Sequence, residues 1–126
     1  MIRCGIDIVR IARLESVAPA ILTRFIQRVY TEAEQAQAKG SLEQLAGLFA
    51  AKEAAAKALG TGIGKVAWRD IEIVHGLSGE PRLQLHGHAK EIAERLGLNE
   101  WAVSISHDAG IAAANVVALG DGQLGD

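Results

Sequence analysis

The sequence predicts an α+β fold: an antiparallel sheet of about five strands with helices grouped on it. Residues 1–11 alternate apolar and polar, the period of a half-buried strand. Residues 12–59 carry apolar residues at helical spacing, with capping signals between segments. Residues 68–119 hold further strand-like runs separated by glycine turns and one helical stretch.

In the first strand, Met1 to Ile11, the apolar set Ile2, Cys4, Ile6 and Ile8 defines one face, taken as the buried one, and Asp7 falls on the other. Asp is depleted in strands, so an Asp between two isoleucines calls for a reason, although a solvent-facing strand position is one. Ile11 to Val17 reads as a short helix broken near Pro19, and Ala20 to Tyr30 resumes it. Thr31-x-x-Glu34 and Ser41-x-x-Gln44 have the form of capping boxes, the second opening a long helix from Ser41 to Leu59 that Gly60 ends. Trp68 to Val74 is strand-like, 76–79 a turn, and Pro81 to Leu85 the returning hairpin strand. Gly87 to Leu96 reads as a helix and Trp101 to Ile105 as a strand. After the turn at 108–110, the apolar run Ile111 to Leu119 predicts a strand buried on both faces. The tail 120–126 is expected to fray. The length, 126 residues, fits one domain, and no internal repeat is visible.

The long helix carries the chemistry. Phe49, Glu53 and Lys57 recur along one side at i, i+4 and i+8, followed by Gly60, Gly62 and Gly64. A carboxylate for a divalent cation, an ammonium for phosphate and a pliable loop suit a phosphate-bearing ligand. The same Glu-to-Lys spacing is also the commonest surface helix pair.

Gly5-Ile6-Asp7-Ile8-Val9 together with Phe49-x-x-Lys52-Glu53-Ala54-x-x-Lys57 resembles holo-acyl-carrier-protein synthase, the short bacterial 4′-phosphopantetheinyl transferase. The likeness extends through Arg24-Phe25-x-x-Arg28-Val29-Tyr30-Thr31-Glu32-x-Glu34, Trp68-x-Asp70-Ile71-Glu72-Ile73, Gly79-x-Pro81 and Val103 to Asp108. It implies transfer of phosphopantetheine from coenzyme A to a serine of apo-acyl carrier protein, in support of fatty acid biosynthesis. By that resemblance Asp7 and Glu53 bind Mg²⁺ or Mn²⁺, and Lys57 with the loop of Gly60 and Gly62 meets the phosphates of coenzyme A. His107 matches a family position near coenzyme A, with a plain turn-capping role as its alternative. The proton acceptor for the serine is a metal-bound water or Glu53. Longer relatives look like two such units fused around a site, so a single unit draws its second half from another copy, and the short type is a homotrimer. Family members often carry Glu where this chain has Arg10 and Arg where it has Leu48. Loss of a paired interaction accounts for both.

Between Arg10 and Arg28 the chain has four arginines and one acid, although its net charge is −2. Arg13, Arg24 and Arg28 suit an acidic partner such as acyl carrier protein, or form a solvated face. Nucleic acid fits poorly, since that basic face lacks aromatics for stacking and the remaining surface is acidic. Ser106, His107 and Asp108 are sequence neighbours that diverge at a strand end, so they make no catalytic triad. His86 and His88 read as solvated and His75 as a turn residue; no cysteine pair accompanies them for zinc. The one cysteine, Cys4, excludes an internal disulfide and fits a reducing cytoplasm, and its apolar face disfavours a reactive thiol. No apolar run approaches the 18 residues of a membrane span, and Arg3 and Asp7 interrupt any leader, so a cytoplasmic, membrane-free protein is expected. Actin-like sugar kinases share Gly-x-Asp but need a much longer chain. A trimeric module that only binds coenzyme A or a carrier protein would tolerate loss of Glu53.

Overall fold

The computed structural model describes residues 1–122. Its elements run β1 (Ile2–Arg10), α1 (Ala12–Glu15), α2 (Pro19–Val29), α3 (Glu32–Ala38), α4 (Leu42–Leu59), a 3₁₀ turn (Trp68–Asp70), β2 (Ile71–His75), β3 (Pro81–Leu85), α5 (Gly87–Arg95), β4 (Leu98–Asp108) and β5 (Ile111–Gly120). The five strands divide into two antiparallel sheets, β1-β5-β4 and the β2-β3 hairpin. Trp68 leaves the strand assigned to it because Trp68–Asp70 turns as 3₁₀, and its ring stacks on Phe49 with centroids 4.9 Å apart. The tail begins later than expected. Gly120 is held in β5, its N–H donating to the Met1 carbonyl at 3.1 Å and its own carbonyl accepting from the Met1 ammonium at 2.8 Å. Residues 123–126 lie outside the described residues.

Helix α4 lies across the β1-β5-β4 sheet and is buried nearly all round. Ala50, Ala54, Ala55 and Ala58 of α4 and Ala112, Ala114 and Ala118 of β5 are all but fully buried where the two elements pack. Small side chains on both layers bring helix and sheet close, which aromatic-poor composition favours. The closest approach is at Gly5, where a Cβ would lie 1.9 Å from the Ala54 carbonyl oxygen. No other residue fits there.

That approach overturns the expected facing of β1. Gly5 and Val9 point inward with Asp7, while Ile2, Ile6 and Ile8 are 70%, 59% and 62% exposed and Cys4 is exposed beside them. Alternation fixes two faces but not which one is covered within the chain. β5 is corrected for the same reason: Ala112, Ala114, Val116 and Ala118 are buried, whereas Ile111, Val117 and Leu119 are exposed on the face shared with the isoleucines of β1.

Thr31 forms the full capping box with Glu34; Ser41 accepts only the Gln44 N–H. Glu34 does more than cap. Its carboxylate, completely buried, meets the equally buried Lys52 Nζ at 2.8 Å and accepts the Ile73 N–H at 2.8 Å. Lys52 also donates to the Trp68 and Ile71 carbonyls, tying α4 to α3 and β2.

Candidate active site

Along α4 after its first turn, only Phe49, Glu53 and Lys57 escape full burial. A helix covered on every other side therefore presents outward the stripe that the sequence singled out. Its Glu-Lys spacing does not produce the ordinary surface pair. Lys57 Nζ instead crosses to β1, donating to the Ile6 carbonyl at 2.9 Å and to Asp7 Oδ1 at 3.2 Å. Gly5 is the cause, since the contact with Ala54 sets the flanking helix residues Glu53 and Lys57 over Asp7, two residues along the strand. Asp7, Glu53 and Lys57 thus converge.

Burial raises the Glu53 carboxyl's proton affinity, and the Asp7 charge raises it further, against opposing effects of Lys57 and Arg13. Two like charges held together in a partly dry place are the electrostatics of a cation site. The donor set fits a hard cation that keeps water and substrate phosphate as ligands, as Mg²⁺ does. Among the described residues no cluster of three or more His, Cys, Asp or Glu could form an all-protein cage.

Gly60 caps α4 in the left-handed region with φ of 81°. The N–H groups of Gly60, Thr61 and Gly62 turn back onto the Lys57 and Ala56 carbonyls at 3.0–3.3 Å. Those amides cap the helix and do not face a ligand, so the loop differs from a phosphate-cradling nest. Open space faces Gly62 and Gly64.

His107 is not brought to this cluster. Its Nε2 donates to the Glu43 carbonyl at 2.9 Å, near the start of α4. Glu43 and Lys57 are 14 positions apart, roughly 21 Å of helix at 1.5 Å per residue. His86, expected to be solvated, contacts Glu72 Oε1 through Nε2 at 3.0 Å, and Glu72 Oε2 accepts the Thr31 hydroxyl at 2.6 Å. Burial raises the Glu72 pKa, but these bonds outweigh it and hold the carboxyl below its ordinary value. His88 lies 3.3 Å from Glu91.

Arg13, Arg24 and Arg28 are exposed, and none is ion-paired among the described residues. Between α1, α2 and Phe49 runs an apolar groove of about 180 Å³, lined by Val9, Arg13, Leu14, Ile21, Phe25 and Phe49 among others. It was not evident from the sequence because its walls come from four elements. One turn beyond Phe49 on α4 is Glu53.

The model of the 4′-phosphopantetheinyl transferase superfamily matches residues 3–113. The chain belongs to that superfamily. Among its relatives, the holo-[acyl-carrier-protein] synthase of Solidesulfovibrio magneticus is 50% identical over 92% of this chain and 96% of its own. That of Gloeobacter violaceus is 46% identical over 94% and 92%. The Helicobacter pylori holo-[acyl-carrier-protein] synthase in complex with coenzyme A superposes with a TM-score of 0.84 at 38% identity, covering 92% of this chain and 99% of that one. The Bacillus anthracis enzyme in complex with CoA (3′,5′-ADP) gives 0.74 at 37% identity, covering 96% of each. The transferase fold is thus the one in which α4 sets Glu53 and Lys57 over Asp7.

Proposed function

We propose that this chain is a holo-acyl-carrier-protein synthase, transferring the 4′-phosphopantetheine of coenzyme A to a serine of apo-acyl carrier protein. The observation that carries the reading is the convergence of Asp7, Glu53 and Lys57 on the open stripe of a buried helix. The serine oxygen forms a bond to the phosphorus bearing pantetheine, and the bond from that phosphorus to the bridging oxygen breaks. Adenosine 3′,5′-bisphosphate leaves.

Asp7 and Glu53 would hold Mg²⁺ or Mn²⁺, which when bound supplies charge stabilisation for the pyrophosphate oxygens. Lys57 orients the Asp7 carboxylate and places a cation where the leaving phosphate gains charge. Glu53, or a water held beside it, accepts the serine proton.

Arg24 and Arg28, one turn apart on α2, offer carboxylate-binding forks beside the apolar groove that leads to Glu53. An acidic carrier protein with an apolar contact residue fits both features. The exposed isoleucines of β1 with Val117 and Leu119 form an apolar sheet face of the kind that marks an association surface. Its occupant is a second and third copy of this chain, and a neighbour's His107 then completes the coenzyme A site that a single chain leaves without it. No helix among the described residues is long and apolar enough to cross a membrane. Cytoplasmic action in fatty acid biosynthesis follows from the carrier-protein reading.

The test is intact mass spectrometry of an apo-acyl carrier protein incubated with the chain, coenzyme A and Mg²⁺. The expected result is a gain of one phosphopantetheine. Tight binding with no mass gain would make the chain a binding module.

A further inference from the structure

The 3₁₀ turn Trp68–Asp70 lies ahead of β2 and belongs to neither sheet. So short a turn has little hydrogen bonding of its own, and contacts from elsewhere set its place. Lys52 Nζ donates to the Trp68 carbonyl at 3.1 Å and to the Ile71 carbonyl, one contact at each end of the turn. Arg69 Nε donates to the Tyr30 carbonyl at 3.0 Å, and the His86 N–H donates to the Asp70 carbonyl at 2.8 Å. Of these bonds only those of Lys52 come from α4, the helix that carries Phe49, Glu53 and Lys57.

Lys52 is fully buried, 2.8 Å from Glu34 and 5.8 Å from the centre of the Tyr30 ring. A buried ion pair costs desolvation that an apolar pair of similar size avoids. The geometry supplies a use for it. With the carboxylate and two carbonyls as acceptors, all the ammonium donors are engaged, and no apolar side chain holds two carbonyls at once. The turn so held sets the Trp68 indole on Phe49, with centroids 4.9 Å apart and planes 28° from parallel. Phe49 in turn meets Phe25 at 5.6 Å, and both rings line the apolar groove between α1 and α2. Phe49 is partly exposed there, so the indole behind it is what keeps its ring from turning away.

We propose that Lys52 is a positioning residue for carrier-protein recognition: it fixes the Trp68 turn, whose ring holds Phe49 as a wall of the groove beside Glu53. This rests on the transferase reading above and on the groove as the carrier protein's apolar contact. Lys52 touches neither substrate and acts through Trp68 and Phe49.

The experiment is steady-state kinetics, each substrate varied in turn, for the wild type, for Glu34→Gln combined with Lys52→Met, and for Trp68→Leu. The double variant removes both buried charges together, so no carboxylate is stranded. Trp68→Leu keeps the pair and removes only the ring behind Phe49. Both should raise the KM for carrier protein about tenfold, the scale of one ordered aromatic contact, with kcat and the KM for coenzyme A little changed. In a Trp101→Phe background, the Trp68 emission of the double variant should shift to longer wavelength as the indole leaves Phe49. A purely structural pair would instead lower the melting temperature and the active fraction, and so kcat, while the KM for carrier protein held. That result overturns the proposal, as does unchanged Trp68 emission or an equal rise in both KM values. Should the double variant fail to fold, an unmoved KM in Trp68→Leu still overturns it. Absence of any wild-type turnover overturns the transferase reading and this proposal with it, whereas turnover with an unmoved KM overturns this proposal alone.

Discussion

Glu53 carries a carboxyl whose proton affinity burial and the Asp7 charge raise, against opposing contributions from Lys57 and Arg13. The folded state therefore binds this proton more tightly than the unfolded chain does. By linkage, stability falls as pH climbs from the ordinary value of 4.5 through the raised folded value. Glu53→Gln removes that penalty. The variant should be as stable as the wild type or more so near neutral pH, with a flatter stability profile in thermal unfolding across that range. Its transfer rate should fall at least ~10²-fold, the scale of one preorganised electrostatic group, and Asp7→Asn should lose as much. Near-wild-type rates for either at limiting Mg²⁺ would remove both from the site. Asp7 was legible in the sequence as a carboxylate out of place in a strand. Its true partner, Lys57, was not, because helix spacing offered Glu53 first.

Two lysines five positions apart on α4 set the contrast at the level of elements. Lys57 is half-exposed, and losing its pair with Asp7 should cost under ~1 kcal/mol of stability. Lys52 is wholly buried against Glu34 and two carbonyls; burial lowers its pKa, and Glu34 opposes that shift. Lys52→Ala strands a buried carboxylate and should cost roughly 3–5 kcal/mol. Urea unfolding of the two alanine variants checks the difference, and similar costs would refute it. Helix α2 makes a separate prediction. Arg24→Glu or Arg28→Glu should raise the apparent KM for carrier protein with little change for coenzyme A, and the effect should shrink as the screening length falls toward ~3 Å at 1 M salt. Kinetics at two ionic strengths decide it, since an unchanged carrier-protein dependence would leave α2 a solvated face. The motif singled out Lys52 but not its burial: a buried ion pair joins α3 to α4, and neither segment alone reveals it.

For the whole molecule, the association surface proposed above is the uncovered face of the β1-β5-β4 sheet, which puts the assembly to a test. Ile6→Asp places a charge in the middle of that face. If the chain forms the proposed trimer through this face, the change should dissociate it while the circular dichroism spectrum holds, because the core lies on the other side, against α4. Light scattering should report a monomer, and activity should fall with it if a neighbour completes the site. A fully active monomer would reject the composite site. An unchanged oligomer would place the interface elsewhere.

The sequence by itself determined the α+β class, nearly every element, the caps of α3 and α4, and which residues to propose for the chemistry. Those properties depend on spacing, glycine position and side-chain type, all local. The tertiary structure alone decided which face of β1 turns inward, that Lys57 reaches Asp7, and that Lys52 is buried with Glu34. It also decided that His107 stands apart from the carboxylates. Each is a contact between elements distant in sequence. The close approach at Gly5 illustrates the reason: a missing Cβ is visible in the sequence, but the helix that fills its space is not.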